Sequence, residues 1–230
     1  MQAIIMAGGE GKRFQPYSLV LPKPLIPISD KPIMEILISQ LSKYGFEDIK
    51  ITTGYMNELI QAYFGNGGKW QVNITYSKED KPLGTIGPLT LLHDLDDDFI
   101  VLNGDTLTNL DYKSLFDSHL KSDSLLTIAS YKKHVKIDLG VLEINSNSIL
   151  IDYIEKPQMD YIVSMGIYVL NKSLLSHLKT DSYFDFPSLV KLLLLKNEKI
   201  NIYHFNGIWH DLGSIDNYEM AIKDLDKLLI

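Results

Sequence analysis

The sequence has 230 residues and no cysteine. That absence excludes disulfides, thiolate metal sites, iron–sulfur clusters and a cysteine nucleophile together, and it fits a cytoplasmic enzyme. Long hydrophobic runs are missing too. Residues 1–6 lack a basic leader and read as a first strand, not a signal peptide. The longest later apolar run, residues 192–195, is far too short to span a membrane. Positive charge is scarce: 22 Lys and Arg stand against 29 Asp and Glu, a formal net charge of −7. Such a chain is a poor match for nucleic acid or an anionic membrane as partner. A few cations converging at one place can still hold a polyanion.

What is present is ordinary for a folded domain, with 45% hydrophobic and 22% charged residues. Without repeats, low-complexity stretches or an evident linker, residues 1–230 read as one mixed domain. Strand and helix patterns alternate. Residues 3–6 are an apolar run ending at Gly8-Gly9, a buried strand entering a loop. Ile33, Ile36, Leu37, Gln40, Leu41 and Tyr44, one of them polar, keep helical spacing up to Gly45. Residues 49–53 and 72–76 are strand-like, 57–64 and 88–93 are helix-like, and 99–102 form a buried strand running into Asn103-Gly104-Asp105. Strands joined by helices predict an α/β fold, a doubly wound, mostly parallel mixed sheet. Segments 125–131, 140–144, 149–154 and 166–170 read as strands of a small, partly antiparallel β-rich extension, and 186–196 and 215–229 as helices. Ligands of such sheets sit beyond the carboxyl ends of the strands, where the loops at 8–13 and 104–105 fall.

Glycines in Ala7-Gly8-Gly9-Glu10-Gly11-Lys12-Arg13 permit positive φ and let backbone N–H groups approach a phosphate. The same string also reads as a tight turn with two solvated cations. A P-loop would need Gly at position 6 and Ser or Thr at position 13; a dinucleotide fingerprint from Gly9 would need Gly or Ala at position 14. Met6, Arg13 and Phe14 stand there instead, which argues against a P-loop kinase and a dehydrogenase. In Pro22-Lys23-Pro24 the flanking prolines stiffen the backbone, so that the lysine can be aimed. Asp105, ending a buried strand, suits either a Mg²⁺ ligand or a turn cap.

This composite resembles the opening signature of the sugar-1-phosphate nucleotidylyltransferases, the nucleotide-sugar pyrophosphorylases. The similarity continues through Pro82-Leu83-Gly84-Thr85-Ile86-Gly87, Gly140-Val141-Leu142, Glu155-Lys156-Pro157, Ser164-Met165-Gly166-Ile167-Tyr168 and Trp209-His210-Asp211-Leu212-Gly213. The resemblance implies a Rossmann-like, GT-A-like nucleotidyltransferase domain, with residues 1–110 holding the nucleotide and 111–230 the sugar phosphate. It implies conversion of an NTP and a sugar 1-phosphate into an NDP-sugar and pyrophosphate, with Mg²⁺ as cofactor. Arg13, Lys23 and Asp105 are the implied catalytic residues. Ala7, Gly8, Gly9, Gly11, Lys12, Arg13, Lys23, Glu79, Gly84, Thr85 and Asn103 are the implied nucleotide contacts. Gly140, Glu155, Lys156, Ser164 and Gly166 are those of the sugar phosphate, and Asp105 with Asp211 those of the metal. His210 reads as a neighbour of that ligand, not as a base, and Thr85 reads equally as the N-cap of a following helix. Two departures stand out: Lys12 where the family usually has Thr or Ser, and Ser164 where Asn is common.

Guanine presents N1–H and N2–H donors, which suit a carboxylate, and Glu79 and Asp80 precede the Leu-Gly-Thr segment. The Pro-Leu-Gly-Thr-x-Gly-Pro-Leu string resembles mannose-1-phosphate guanylyltransferases, and the short length resembles heptose-1-phosphate guanylyltransferases. GTP and a manno-configured sugar 1-phosphate are the expected substrates. Uridylyl, cytidylyl or thymidylyl transfer, or a non-catalytic NDP-sugar sensor, are the alternatives. A glycosyltransferase of similar class would carry Asp-x-Asp after a strand, whereas Asp96-Asp97-Asp98 precedes its strand. A homo-oligomer is compatible with the sequence.

Overall fold

The structure is a computed structural model and describes residues 1–213 and 215–228. Its strands and helices run, in chain order, β1 (Gln2–Ala7), β2 (Pro27–Ile28), β3 (Lys31–Pro32), α1 (Ile33–Lys43), β4 (Asp48–Thr53), α2 (Asn57–Phe64), β5 (Asn73–Lys78), β6 (Asp98–Asn103), β7 (Thr106–Thr108), α3 (Tyr112–Ser122), β8 (Leu126–Lys136), β9 (Val141–Ile144), β10 (Leu150–Ile154), β11 (Gln158–Asn171), α4 (Phe186–Leu195), β12 (Ile200–Phe205), β13 (Trp209–Asp211), α5 (Ile215–Lys223) and α6 (Leu225–Leu228). Seven strands share one sheet in the order β12-β8-β11-β6-β1-β4-β5. The β5-β4-β1-β6 half is parallel. β11 pairs antiparallel with both neighbours, and β12 lies parallel to β8. Strands from both halves of the chain therefore belong to one sheet, the mixed, mostly parallel arrangement expected from the alternating pattern.

Strand alternation assigns the two faces. On β1, Ala3, Ile5 and Ala7 join Met34, Leu37, Ile38 and Leu41 of α1, together with Ile60, Phe64, Leu115 and Phe116. Ile4 points the other way, to Phe99, Val101 and the α4 residues Phe186, Leu189 and Leu193. A helix thus covers each face of the sheet. Helix α4 starts where Asp185 accepts the Ser188 N–H at 2.8 Å, with Pro187 in the first turn.

Several segments differ from the sequence reading. Residues 88–93, expected as a helix, form only a short 3₁₀ turn, Gly87–Leu91, ending where Leu92 becomes extended. The strand expected at 166–170 is the end of the 14-residue β11. The terminal helix expected over 215–229 is divided into α5 and α6. Between them Asp224 accepts hydrogen bonds from Lys227 and pairs with His210, which fixes a turn there; Leu229 lies outside the described residues. Of the segments expected in the β-rich extension, only the β9–β10 pair forms a separate two-stranded antiparallel sheet; those at 125–131 and 166–170 are strands β8 and β11 of the central sheet instead, because β11 pairs with β6 and β8 along its buried end. Among the described residues no helix is long and apolar enough to cross a membrane.

Leu37 is fully buried at the centre of the α1 interface. Leu37→Ala is expected to lower unfolding free energy by about 2–5 kcal/mol, read as a reduced denaturant midpoint with an unchanged m-value.

Candidate active site

The carboxyl ends of β1 and β6 are neighbours, because the two strands pair in parallel. The glycine loop after β1 and the Gly104-Asp105 turn after β6 consequently meet. Gly104 donates its N–H to the Met6 carbonyl at 3.0 Å, fixing the second loop against the first. A cavity of about 1010 Å³ opens there, lined by both loops and by residues from the 78–88 segment.

Lys23 lies at the start of a 3₁₀ turn and is only 9% exposed. Its ammonium forms a close ion pair with Asp105 Oδ2 and sits 5.4 Å from the centroid of the buried Phe14 ring. The prolines on either side hold this lysine in place, as the sequence suggested. Gly11 has φ 63°, and a side chain there would press on the Lys23 Cβ at 3.2 Å, so glycine serves both the turn and the lysine.

Asp211 reaches the same place from the opposite end of the chain. β13 pairs with β7 so that Asp211 lies opposite Thr106, and Leu212 donates to the Asp105 carbonyl at 3.2 Å. Burial raises the Asp211 pKa, and the Asp105 carboxylate raises it further, while Lys23, Arg13 and Lys133 pull it down. A Cβ on Gly213 would lie 3.0 Å from Asp211 Oδ2 and 3.1 Å from Arg13 Nη1. The guanidinium and the carboxylate therefore bracket that glycine. Two adjacent carboxylates offer hard oxygen donors, and among the described residues no group of three or more His, Cys, Asp or Glu could hold a metal ion. Such a pair fits Mg²⁺, which takes one or two carboxylates plus substrate phosphates. His210 points away from the pair, to Asp224 at 3.1 Å.

Glu79 follows β5. Its Oε2 accepts the Leu83 N–H at 2.9 Å, and its Oε1 lies where a Cβ on Gly8 would collide with it. Burial raises its pKa, partly opposed by the Leu83 hydrogen bond. Asp80 also lines the cavity but is exposed. Lys12 is exposed and paired with Glu10 at 3.0 Å. Asn103 lines the cavity and lies against Gly166, whose φ of 74° and missing Cβ let Asn103 Nδ2 approach. Thr85 does not cap its own segment: its hydroxyl accepts the Phe186 N–H at 2.8 Å, at the start of α4.

Every implied nucleotide contact, from Ala7 to Asn103, lines this cavity. The implied sugar-phosphate residues do not. Glu155 and Lys156 are exposed, 4.0 Å apart, beyond β10. Tyr153 donates to Glu155 at 3.0 Å, and its hydroxyl occupies the space a Gly140 side chain would need. Ser164 contacts Tyr168 Oη at 3.3 Å and Gly166 N at 3.4 Å, within the irregular stretch of β11. Residues not singled out in the sequence also belong here. Tyr55 and Tyr183 line the cavity, and Lys133 acts on Asp211. Tyr183 and Lys133 reach the site only through long-range packing, which no local pattern announces.

Residues 2–227 match the nucleotidyl transferase family. A D-glycero-α-D-manno-heptose 1-phosphate guanylyltransferase of Aneurinibacillus thermoaerophilus is 32% identical, the match covering all of both chains. A UTP–glucose-1-phosphate uridylyltransferase of Synechocystis sp. is 30% identical over 97% of this chain but only 63% of its own length. This chain thus spans less than two thirds of that longer relative. The crystal structure of HddC from Yersinia pseudotuberculosis superposes with TM-score 0.77 at 27% identity, covering 97% of this chain and 99% of that one.

The raised pKa of Glu79 means that its charged form is disfavoured by folding. Glu79→Gln is expected to raise the melting temperature of the ligand-free protein at neutral pH. The gain should shrink as pH falls toward and below the ordinary value of 4.5, where the wild-type carboxyl is protonated in both states. A gain that persists undiminished in acid would contradict the assignment.

Proposed function

The chain belongs to the nucleotidyl transferase family, and from that premise we propose that it is a Mg²⁺-dependent sugar-1-phosphate guanylyltransferase. The observation that carries this reading is that Lys23, Asp105 and Arg13 line one glycine-loop cavity and Asp211 lies beside them. In the proposed reaction a phosphate oxygen of the sugar 1-phosphate attacks the α-phosphorus of the NTP. The new P–O bond joins nucleotide and sugar phosphate, and the α–β bond breaks to release pyrophosphate. No covalent enzyme intermediate is required, so the protein's work is positioning and charge neutralisation.

Arg13, Lys12 and the N–H groups of the 8–11 loop hold the β- and γ-phosphates that leave. Lys23 neutralises charge developing at the α-phosphate. Mg²⁺, when bound by Asp105 and Asp211, supplies Lewis-acid charge stabilisation to the phosphates. Lys156 holds the attacking phosphate and Glu155 the sugar ring. Their exposed place outside the nucleotide cavity suits a second substrate that approaches from another side. Glu79 faces the base, accepting from guanine N1–H and N2–H. The end-to-end match with a heptose-1-phosphate guanylyltransferase supports GTP and a manno-configured sugar. The uridylyltransferase relative makes UTP the second reading.

Pyrophosphate release measured across GTP, UTP, CTP, ATP and dTTP, each with mannose, manno-heptose, glucose and N-acetylhexosamine 1-phosphates plus Mg²⁺, tests both readings. GTP with a manno-configured partner is expected to be fastest; no release with any pair would point to an NDP-sugar sensor. Lys23→Ala is expected to lower kcat by at least ~100-fold, the scale of losing one charge-stabilising group. Asp211→Asn is expected to abolish Mg²⁺-dependent turnover; a Mg²⁺ titration identical to that of the wild type would remove this residue from the metal site.

A further inference from the structure

We infer that Tyr183 provides the aromatic wall against which the nucleobase of the donor nucleotide stacks. The inference rests on the donor-nucleotide reading above and extends it to a residue from the second half of the chain.

Three aromatic rings line the cavity: Phe14, Tyr55 and Tyr183. Phe14 is 2% exposed and already packed beneath Lys23. Tyr183, by contrast, is 65% exposed. Such exposure usually means a mobile side chain on a loose loop, but the backbone here is tied down on both sides. Phe184 N donates to the Leu83 carbonyl at 2.9 Å, and the Phe184 carbonyl accepts from Ile86 N at 3.0 Å and Gly87 N at 3.1 Å. Phe186 N donates to Thr85 Oγ1 at 2.8 Å, and Lys81 pairs with Asp181 at 2.8 Å. Residues 181–186 therefore form a strap laid over the 81–87 loop.

Gly84 makes the close approach possible. It has φ 80°, and a Cβ there would meet the Phe184 carbonyl oxygen at 2.6 Å and Tyr183 Cε2 at 3.3 Å. The tyrosine ring consequently lies against the bare backbone of the same loop whose Leu83 N–H orients Glu79. The ring is therefore set on the wall of the cavity that Glu79 also lines before any ligand arrives. Ordering an aromatic face in advance reduces the entropy lost on binding. A π-face serves every base, whereas a carboxylate discriminates by hydrogen bonding. Tyr183 thus sets nucleoside affinity and Glu79 sets base preference.

Calorimetric titration of the full chain with GTP plus Mg²⁺, with UTP plus Mg²⁺, and with inorganic tripolyphosphate plus Mg²⁺ separates these contributions. Tyr183→Ala and Tyr183→Leu are expected to weaken GTP by about tenfold or more, with a loss of similar size for UTP. Both variants should leave tripolyphosphate affinity unchanged. Tyr183→Phe keeps the ring and should match the wild type. The leucine variant retains apolar bulk, so it also separates stacking from simple filling of the strap. Undiminished GTP binding by the alanine and leucine variants would overturn the inference, as would an equal loss for tripolyphosphate. Wild-type protein that binds tripolyphosphate but no nucleotide would overturn the donor reading with it. Wild-type nucleotide binding that Tyr183→Leu leaves intact removes the stacking role alone.

Discussion

The site depends on one ion pair, Lys23 with Asp105, made between residues 82 positions apart. Its lysine is nearly buried, and its aspartate shares the ground with a second carboxylate, Asp211, whose charged form burial and Asp105 both disfavour. Two carboxylates in so enclosed a place repel, and removing either from water is costly. Lys23 on one side, with Arg13 and Lys133 acting on Asp211, offsets that cost. The result is a set of charges held in place by the protein instead of by water. Phosphoryl chemistry gains from such preorganisation, because little reorganisation is left to do when the reacting charges arrive.

The scaffold explains why these groups meet. Parallel pairing of β1 with β6 brings two strand ends side by side, and the loops leaving them carry the glycines and Asp105. Lys23 is added by the proline-flanked turn before β2. The small β7–β13 pair then returns the end of the chain to the same spot and delivers Asp211. The net charge of −7 is compatible with a polyanion site for this reason: the cations that matter are few and are focused by topology.

How much of this was legible in the sequence follows from the range of each interaction. The glycine loop, the Pro-Lys-Pro turn and Asp105 announce themselves through local backbone demands, and the cavity contains all of them. Helix α2 and strand β6 follow from periodicity and flanking turns. The segment at 88–93 differs from its helical expectation because apolar spacing alone cannot tell one 3₁₀ turn from a helix, and the N-cap alternative for Thr85 fails because its hydroxyl accepts from a distant helix. Lys133 and Tyr183 carry no motif at all. Their places follow from the β8–β11 ladder and from a strap over residues 81–87, and both are products of tertiary packing.

The same division clarifies how relatives that use different nucleotides can share one frame. Phosphates and a divalent metal are common to all NTPs, so the part of the site that meets them has no reason to change with the base. In the proposed reading the base is met elsewhere, by Glu79, whose carboxylate accepts the Leu83 N–H and lies against the bare backbone of Gly8. A side chain on Gly8 would push that carboxylate aside, and a different residue at position 79 would present different donors and acceptors from the same place. Base choice can therefore vary through one side chain, while Lys23, Asp105 and Asp211 stay where the sheet puts them. Partial burial disfavours the charged form of the Glu79 carboxylate, a cost that a ligand with matching N–H donors would offset on binding in the proposed reading.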